Sequence, residues 1–247
     1  MKFRTILIIG ATSSIAQEVA REFARNNCSL ILAARTQNKL DAIRNDVLAH
    51  GATMAHTMLF DAEHYTQHLD IVSNAAQQYG TIDAVLIAYG TLPNNEECVT
   101  DTTKTIEQFT LNATSIIALC TASAQYFETI GRGTLAVITS VAGDRGRQSN
   151  YVYGASKGAL NTFLQGLRNR LTHKNIHVVT IKPGFVDTPM THHVPKNALF
   201  ATAKTVGKSI AHAMIAGKDV VYIPFFWRYI MLIVKLIPEF MFKRLKL

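Results

Sequence analysis

What most constrains this chain is an alternation. Short apolar runs at residues 3–9, 29–34, 53–59, 82–88, 134–139 and 176–182, with a shorter one at 219–223, are separated by stretches of helical periodicity. A run such as Thr5-Ile6-Leu7-Ile8-Ile9 has no polar alternate positions, so a strand built from it must be covered on both faces. Helices are predicted over about 15–26, 37–50, 62–79, 101–112, 113–130, 151–173 and 203–216. Strands that alternate with helices pair in parallel, because each crossover brings the chain back to the same end of the sheet. The prediction is an α/β fold: a doubly wound parallel sheet of about seven strands with helices on both faces. No repeat, low-complexity tract or linker breaks the pattern. One domain is therefore expected over 1–223, with a loop over about 186–201 that carries Pro189 and Pro195. Residues 224–247 differ in kind and read as an apolar, basic, helical tail.

With 48% hydrophobic and 17% charged residues, the chain has ample material for a core. The start, Met1-Lys2-Phe3-Arg4, superficially resembles a signal peptide. The apolar run after it is too short, and Glu18 and Arg21 follow soon, so a buried first strand is predicted. Cys28, Cys98 and Cys120 are odd in number, far apart and outside any Cys-x-x-Cys. They point to a reducing, cytoplasmic setting rather than a disulfide framework or a zinc site. A formal charge of +8 suits nucleic acid, an acidic ligand or an anionic membrane surface. The first 220 residues hold no basic run interleaved with aromatics, which argues against nucleic acid.

The first strand runs into Gly10-Ala11-Thr12-Ser13-Ser14-Ile15-Ala16 and then a helix. Small residues at such a turn let the backbone approach a pyrophosphate, and the helix start supplies N–H donors. An ordinary βα turn capped by Ser13 or Ser14 would look the same. The second strand ends at Ala34-Arg35, where an NAD site would place a carboxylate for the ribose hydroxyls. A guanidinium there suits a 2′-phosphate, so NADP(H) is the expected cofactor; the other reading of Arg35 is a solvated side chain at a helix start. Asp61, just past the third strand, fits either an adenine edge or a helix N-cap.

In Ser149-Asn150-Tyr151-Val152-Tyr153-Gly154-Ala155-Ser156-Lys157, Tyr153 and Lys157 are four residues apart and share one helix face. An ammonium beside a phenol favours the phenolate, which is expected to lower the phenol's pKa towards neutrality and make a usable general acid. Tyr151 has no lysine four residues on. Taken alone, the pair also fits an exposed helical contact.

Together with Ala88-Tyr89-Gly90, Asn112, Ser140 and Pro183-Gly184-Phe185-Val186-Asp187-Thr188, these stretches resemble the classical short-chain dehydrogenase/reductase family over residues 3–223. The resemblance implies a Rossmann-type domain and a catalytic set of Asn112, Ser140, Tyr153 and Lys157. Tyr153 would protonate the carbonyl oxygen as hydride arrives from the nicotinamide. Lys157 would tune it and hold the ribose, Ser140 would orient the carbonyl, and Asn112 would position a water. The implied cofactor residues are Gly10, Thr12, Ser13, Ser14, Ile15, Arg35, Asp61, Ala88, Gly90, Tyr153, Lys157, Pro183, Gly184, Val186 and Thr188. The chain departs from the family pattern at Ser14 and Ala16, where the family has glycines, and at Ile87-Ala88-Tyr89-Gly90, where it has Asn-Asn-Ala-Gly. Singly, Ser140 and Asn112 also fit a turn serine and a helix-end residue.

The Ala88–Leu92 loop, Ser140 to Arg147 and the tail Phe226-Trp227-Arg228-Tyr229 are similar to reductases that work with an oxidase to epimerise decaprenylphosphoryl-ribose. That similarity implies a lipid-linked 2-keto sugar as substrate, with a partner oxidase. Another hydrophobic ketone, of ketoacyl or steroid type, remains a second expectation, and a non-catalytic NADP-binding module a third. Arg145 and Arg147 fit either recognition of a phosphorylated substrate or a solvated loop. His64 with His68, and His192 with His193, lack further ligands at metal spacing and read as surface histidines, so no metal is expected. In the tail, Arg228, Lys235 and Pro238 interrupt a run too short to span a bilayer. It reads as an in-plane membrane anchor on the inner face of the cytoplasmic membrane, or as part of a subunit interface in a homo-oligomer.

Overall fold

A computed structural model describes residues 3–64, 66–192 and 194–245; Met1, Lys2, His193, Lys246 and Leu247 of the sequence-based expectations lie outside them. The strands are β1 (Thr5–Ile9), β2 (Ser29–Ala34), β3 (Met54–Leu59), β4 (Ala84–Ile87), β5 (Gly133–Ile138), β6 (Ile176–Pro183), β7 (Val186–Asp187), β8 (Ala201–Thr202) and β9 (Val220–Ile223). Seven of them form one sheet in the order β3-β2-β1-β4-β5-β6-β9, and every pairing is parallel. This is the Rossmann-type doubly wound sheet, and its order reverses between β1 and β4.

The helices are α1 (Ser14–Arg25), α2 (Gln37–Ala49), α3 (Thr66–Tyr79), α4 (Asn95–Thr100), α5 (Thr102–Phe109), α6 (Ser115–Ile130), α7 (Tyr151–Leu171), α8 (Ala203–Ile215), α9 (Trp227–Leu236) and α10 (Glu239–Phe242). Because strand side chains alternate in direction, β1 divides its apolar residues between two cores. Ile6 and Ile8 enter one with Val19, Ala20 and Phe23 of α1, Leu40 of α2 and Ile210 of α8. Leu7 and Ile9 enter the other with Ile71 and Val72 of α3, Leu119 and Phe127 of α6, and Leu160 and Leu164 of α7. The buried positions of α1, Ala16, Val19, Ala20, Phe23 and Ala24, follow the spacing of one helix face.

Three departures from the expected elements matter for the site. The helix expected over 101–112 is α5 followed by a π-helical turn at Thr110–Thr114, and α4 precedes it. The loop expected over 186–201 contains β7, which pairs with β8. The tail is built on the domain rather than beside it. Trp227 and Met231 of α9 are buried against Val141, with Phe185, Tyr222 and Phe226 around them.

Arg145 reinforces that docking. Its Nη1 donates to the carbonyls of Val234 (2.6 Å) and Ile237 (2.6 Å) and, at 3.3 Å, to that of Lys235. Its Nη2 pairs with Glu239 at 3.0 Å, and the guanidinium lies 3.6 Å from the centre of the Phe242 ring. A cation at a helix C-terminus satisfies orphan carbonyls and complements the dipole.

Candidate active site

At the carboxyl ends of β1, β2, β3 and β4 lies a cleft of about 310 Å³, at the sheet's switch point. Gly10 turns the chain there with φ +86°, and a Cβ on it would stand 2.7 Å from the Tyr89 amide nitrogen. The position demands glycine on both counts. The turn delivers Ser13 to the N-cap of α1, with no side-chain capping bond, so the capping explanation of this serine falls away. Ala16 is fully buried beneath the turn, where its methyl is accommodated.

Thr12, Ser13, Ser14 and Ile15 line the cleft's floor; Arg35, Asp61, Ala88, Gly90 and Thr188 line its walls. Arg35 is exposed and makes no ion pair among the described residues. Asp61 faces the cleft, and its Oδ1 accepts from the Glu63 amide at 3.1 Å; α3 begins only at Thr66, so this bond closes a turn and is not the expected helix N-cap. Open helix N–H groups, small side chains and a free guanidinium fit a dinucleotide's phosphates. Sequence reasoning missed Phe60, Thr91, Leu111, Pro189 and Met190, which also line it together with Tyr89. Phe60, Thr91, Leu111 and Pro189 each adjoin an expected residue, so only their chain neighbours signalled them.

Gly90 and Thr91 join this cleft to a second cluster. A Cβ on Gly90 would lie 2.8 Å from Asn112 Oδ1 and 3.3 Å from Lys157 Nζ. Asn112 is fully buried in the π-helical turn. Its Oδ1 accepts from the Thr91 amide at 2.9 Å, and its Nδ2 donates to Thr91 Oγ1 at 3.3 Å. The helix-end explanation of Asn112 does not hold, because the helix continues past it as α6. A π-turn inserts one residue and re-aims side chains, a device common at functional sites.

Across from Asn112, α7 presents Tyr153 and Lys157 to the same space, with Lys157 Nζ 5.6 Å from the centre of the Tyr153 ring. Ser140 leaves β5 in an extended conformation, and its Oγ accepts from the Ala142 amide at 3.1 Å. Its hydroxyl also lies near the Tyr153 phenol and favours the ionised form of that group. Thus Ser140 is a turn serine and a neighbour of Tyr153 at once.

The electrostatics correct one expectation. Burial pushes the Tyr153 phenol up to about 12, and the nearby Ser140 hydroxyl only partly opposes it. Lys157, buried on the same helix, does not pull it towards neutrality; burial instead lowers Lys157 to about 8. Desolvation disfavours the charged form of each group. At neutral pH Tyr153 therefore holds its proton and Lys157 its charge.

Pro183, Gly184 and Val186 are placed less directly. Pro183 ends β6 and is buried, and Val186 is buried in β7. Gly184 leaves room for Trp227, whose ring atoms would come within 1.9 Å of a Cβ there. None of the three lines the cleft. The loop arginines are also corrected. Arg145 is neither solvated nor open to substrate, because α9 engages it, whereas Arg147 keeps Nε and Nη2 buried with no acceptor among the described residues. His68 is not a surface residue but fully buried, 5.2 Å from the Phe60 ring, and His192 Nδ1 bonds the Pro189 carbonyl.

A nucleotide cleft that opens at Gly90 onto a proton-bearing phenol is the layout of an oxidoreductase on a Rossmann-type sheet. Comparison with known proteins gives the same class. The short chain dehydrogenase family model matches residues 4–199. An uncharacterized oxidoreductase of Mycobacterium tuberculosis is 32% identical over 240 residues, covering 97% of this chain and 96% of the relative. An uncharacterized oxidoreductase of Streptomyces coelicolor is 31% identical over 249 residues, 98% of this chain and 96% of its own. A dehydrogenase/reductase SDR family protein 7-like of Drosophila melanogaster is 27% identical over 208 residues, 83% of this chain and 63% of the fly protein. The chain belongs to the short-chain dehydrogenase/reductase family, whose members use NAD(P)(H).

Proposed function

We propose that this protein is an NADPH-dependent carbonyl reductase with Tyr153 as its general acid. The observation that carries this reading is the convergence of Ser140, buried Asn112 and buried Lys157 on a Tyr153 phenol that burial holds protonated. When bound, the reduced nicotinamide supplies the hydride that attacks the carbonyl carbon. Negative charge then grows on the carbonyl oxygen and needs a donor already in place. Tyr153 gives its proton to that oxygen, and Ser140 holds the oxygen within reach. Lys157, charged below about pH 8, stabilises the phenolate left behind. Asn112, fixed by Thr91, holds the floor under Lys157, where a water would return the proton.

Arg35, exposed at the end of β2 with no ion pair among the described residues, supports NADPH over NADH through a 2′-phosphate. For the substrate we infer a hydrophobic ketone, and a lipid-linked 2-keto sugar of the decaprenylphosphoryl-2-ketoribose kind is the form we favour. Arg147, with two donors unengaged in the Ser140 loop, suits its phosphate. A partner oxidase would supply that ketone. We also propose that the chain divides functionally at residue 223 into the reductase domain and a tail.

The test is cofactor oxidation against a panel of hydrophobic ketones that includes polyprenylphosphoryl-2-ketoribose. NADPH consumption with the keto sugar is the expected result. Equal rates with NADH would remove the Arg35 argument, and no turnover with any ketone would remove the reductase.

A further inference from the structure

Helix α9 is apolar on two opposite faces. Trp227, Ile230, Met231 and Val234, spaced i, i+3, i+4 and i+7, pack on the domain. Tyr229, Leu232, Ile233 and Leu236 repeat the same spacing on the far side, where they are 60%, 50%, 66% and 71% exposed. A helix apolar all round belongs in a fully buried environment, and nothing described in this chain covers the outer face. Phe240 and Met241 of α10 continue it, at 63% and 51% exposed.

The charges around this face have one sign. Arg228, Lys235, Lys243 and Arg244 are exposed, and the segment's one carboxylate, Glu239, is paired with Arg145. At 100° per residue, Arg228 and Lys235 fall together on one flank of the apolar stripe. Ten residues make a helix of about 15 Å, half of what crossing a bilayer needs, and no helix among the described residues is long and apolar enough to cross one. An apolar stripe flanked by cations, with a tyrosine at its edge, matches a helix lying in the plane of an anionic bilayer. A second copy of this chain would bring the same cations to the contact, whereas an anionic headgroup layer neutralises them.

We propose that the outer face of α9 and α10 is a docking surface for an anionic lipid bilayer. It is rigidly tied to the reaction site. The inner face of α9 packs on Val141, directly after Ser140, and Arg145 of the same loop caps it. Phe185, two residues after Pro183, meets the Trp227 ring edge-on with centres 5.5 Å apart. Docking therefore brings the bilayer to the carboxyl end of β5 and β6, beside the loop that carries Ser140. The surface stands on these contacts alone and does not depend on which ketone is reduced.

The experiment is flotation of the full chain with vesicles of phosphatidylcholine alone or mixed with phosphatidylglycerol, without substrate or cofactor. Partition onto the anionic vesicles is expected, at least about tenfold above the zwitterionic ones and weakened by salt. A Leu232→Ser, Ile233→Ser, Leu236→Ser triple variant should lose at least about tenfold in partition while keeping its NADPH oxidation rate and the emission of Trp227, whose burial reports a tail still docked. Failure of the wild-type chain to float, or flotation of the triple variant equal to wild type, overturns the proposal. So does a wild-type oligomer that the triple variant converts to monomer without any change in lipid binding, which would assign the face to a second copy.

Discussion

At the scale of single residues, the site works through burial. The spacing Tyr153-x-x-x-Lys157 told which side chains would meet but not what their surroundings would do to them. Desolvation is a property of everything packed around a group, so the raised phenol and the lowered ammonium could not be read from two letters four apart. The consequence is a pH profile set by Lys157. Its folded pKa is lowered to about 8, so the ammonium is present below that value and is lost as pH rises through it. The kcat/KM for carbonyl reduction should be level near neutrality and fall about tenfold per pH unit well above 8; a profile still level at pH 9.5 would contradict this role. Arg35 makes a second prediction. Replacing it by serine removes charge-assisted bonds to a 2′-phosphate, each about 1.5–3 kcal/mol. Arg35→Ser should raise KM for NADPH by roughly tenfold to a hundredfold and leave KM for NADH within about twofold, as steady-state kinetics with both cofactors would reveal.

At the scale of elements, β1, β2 and β5 were legible because strands buried on both faces leave continuous apolar runs in the sequence. The helix α7 was legible from its motif. The π-helical turn that aims Asn112 was not, since an inserted residue leaves the apolar periodicity on either side almost unchanged. The fit of the tail was also hidden. Gly184 reads as part of a cofactor loop, yet its missing Cβ admits the Trp227 ring. Trp227 is the chain's single tryptophan and is 3% exposed, so its emission reports whether α9 is docked. Gly184→Ala should shift that emission to the red and cost about 1–3 kcal/mol of stability by overpacking, measured by denaturant unfolding. An unshifted spectrum would mean that the ring and the glycine do not share this space. Arg145 was equally unreadable, because its partners Val234, Ile237 and Glu239 lie about ninety residues away in the chain.

At the scale of the whole molecule, the sheet order brings the Gly10 turn, the Ser140 loop and the Pro183–Thr188 segment to one edge of the fold, and α9 closes that edge. The parallel sheet was implied by the alternation of strands and helices. The attachment of the tail was not, since a segment apolar on both faces looks the same in sequence whether it packs, docks or does both. The central claim is that this edge performs hydride transfer with Tyr153 as acid. It is tested most directly by comparing single-turnover carbonyl reduction by NADPH in the wild-type enzyme and in Tyr153→Phe, with NADPH binding measured on both. The account predicts that the variant binds NADPH as tightly as the wild type and reduces the ketone at least about a hundredfold more slowly. A Tyr153→Phe enzyme that binds NADPH and reduces the ketone at the wild-type rate would contradict it.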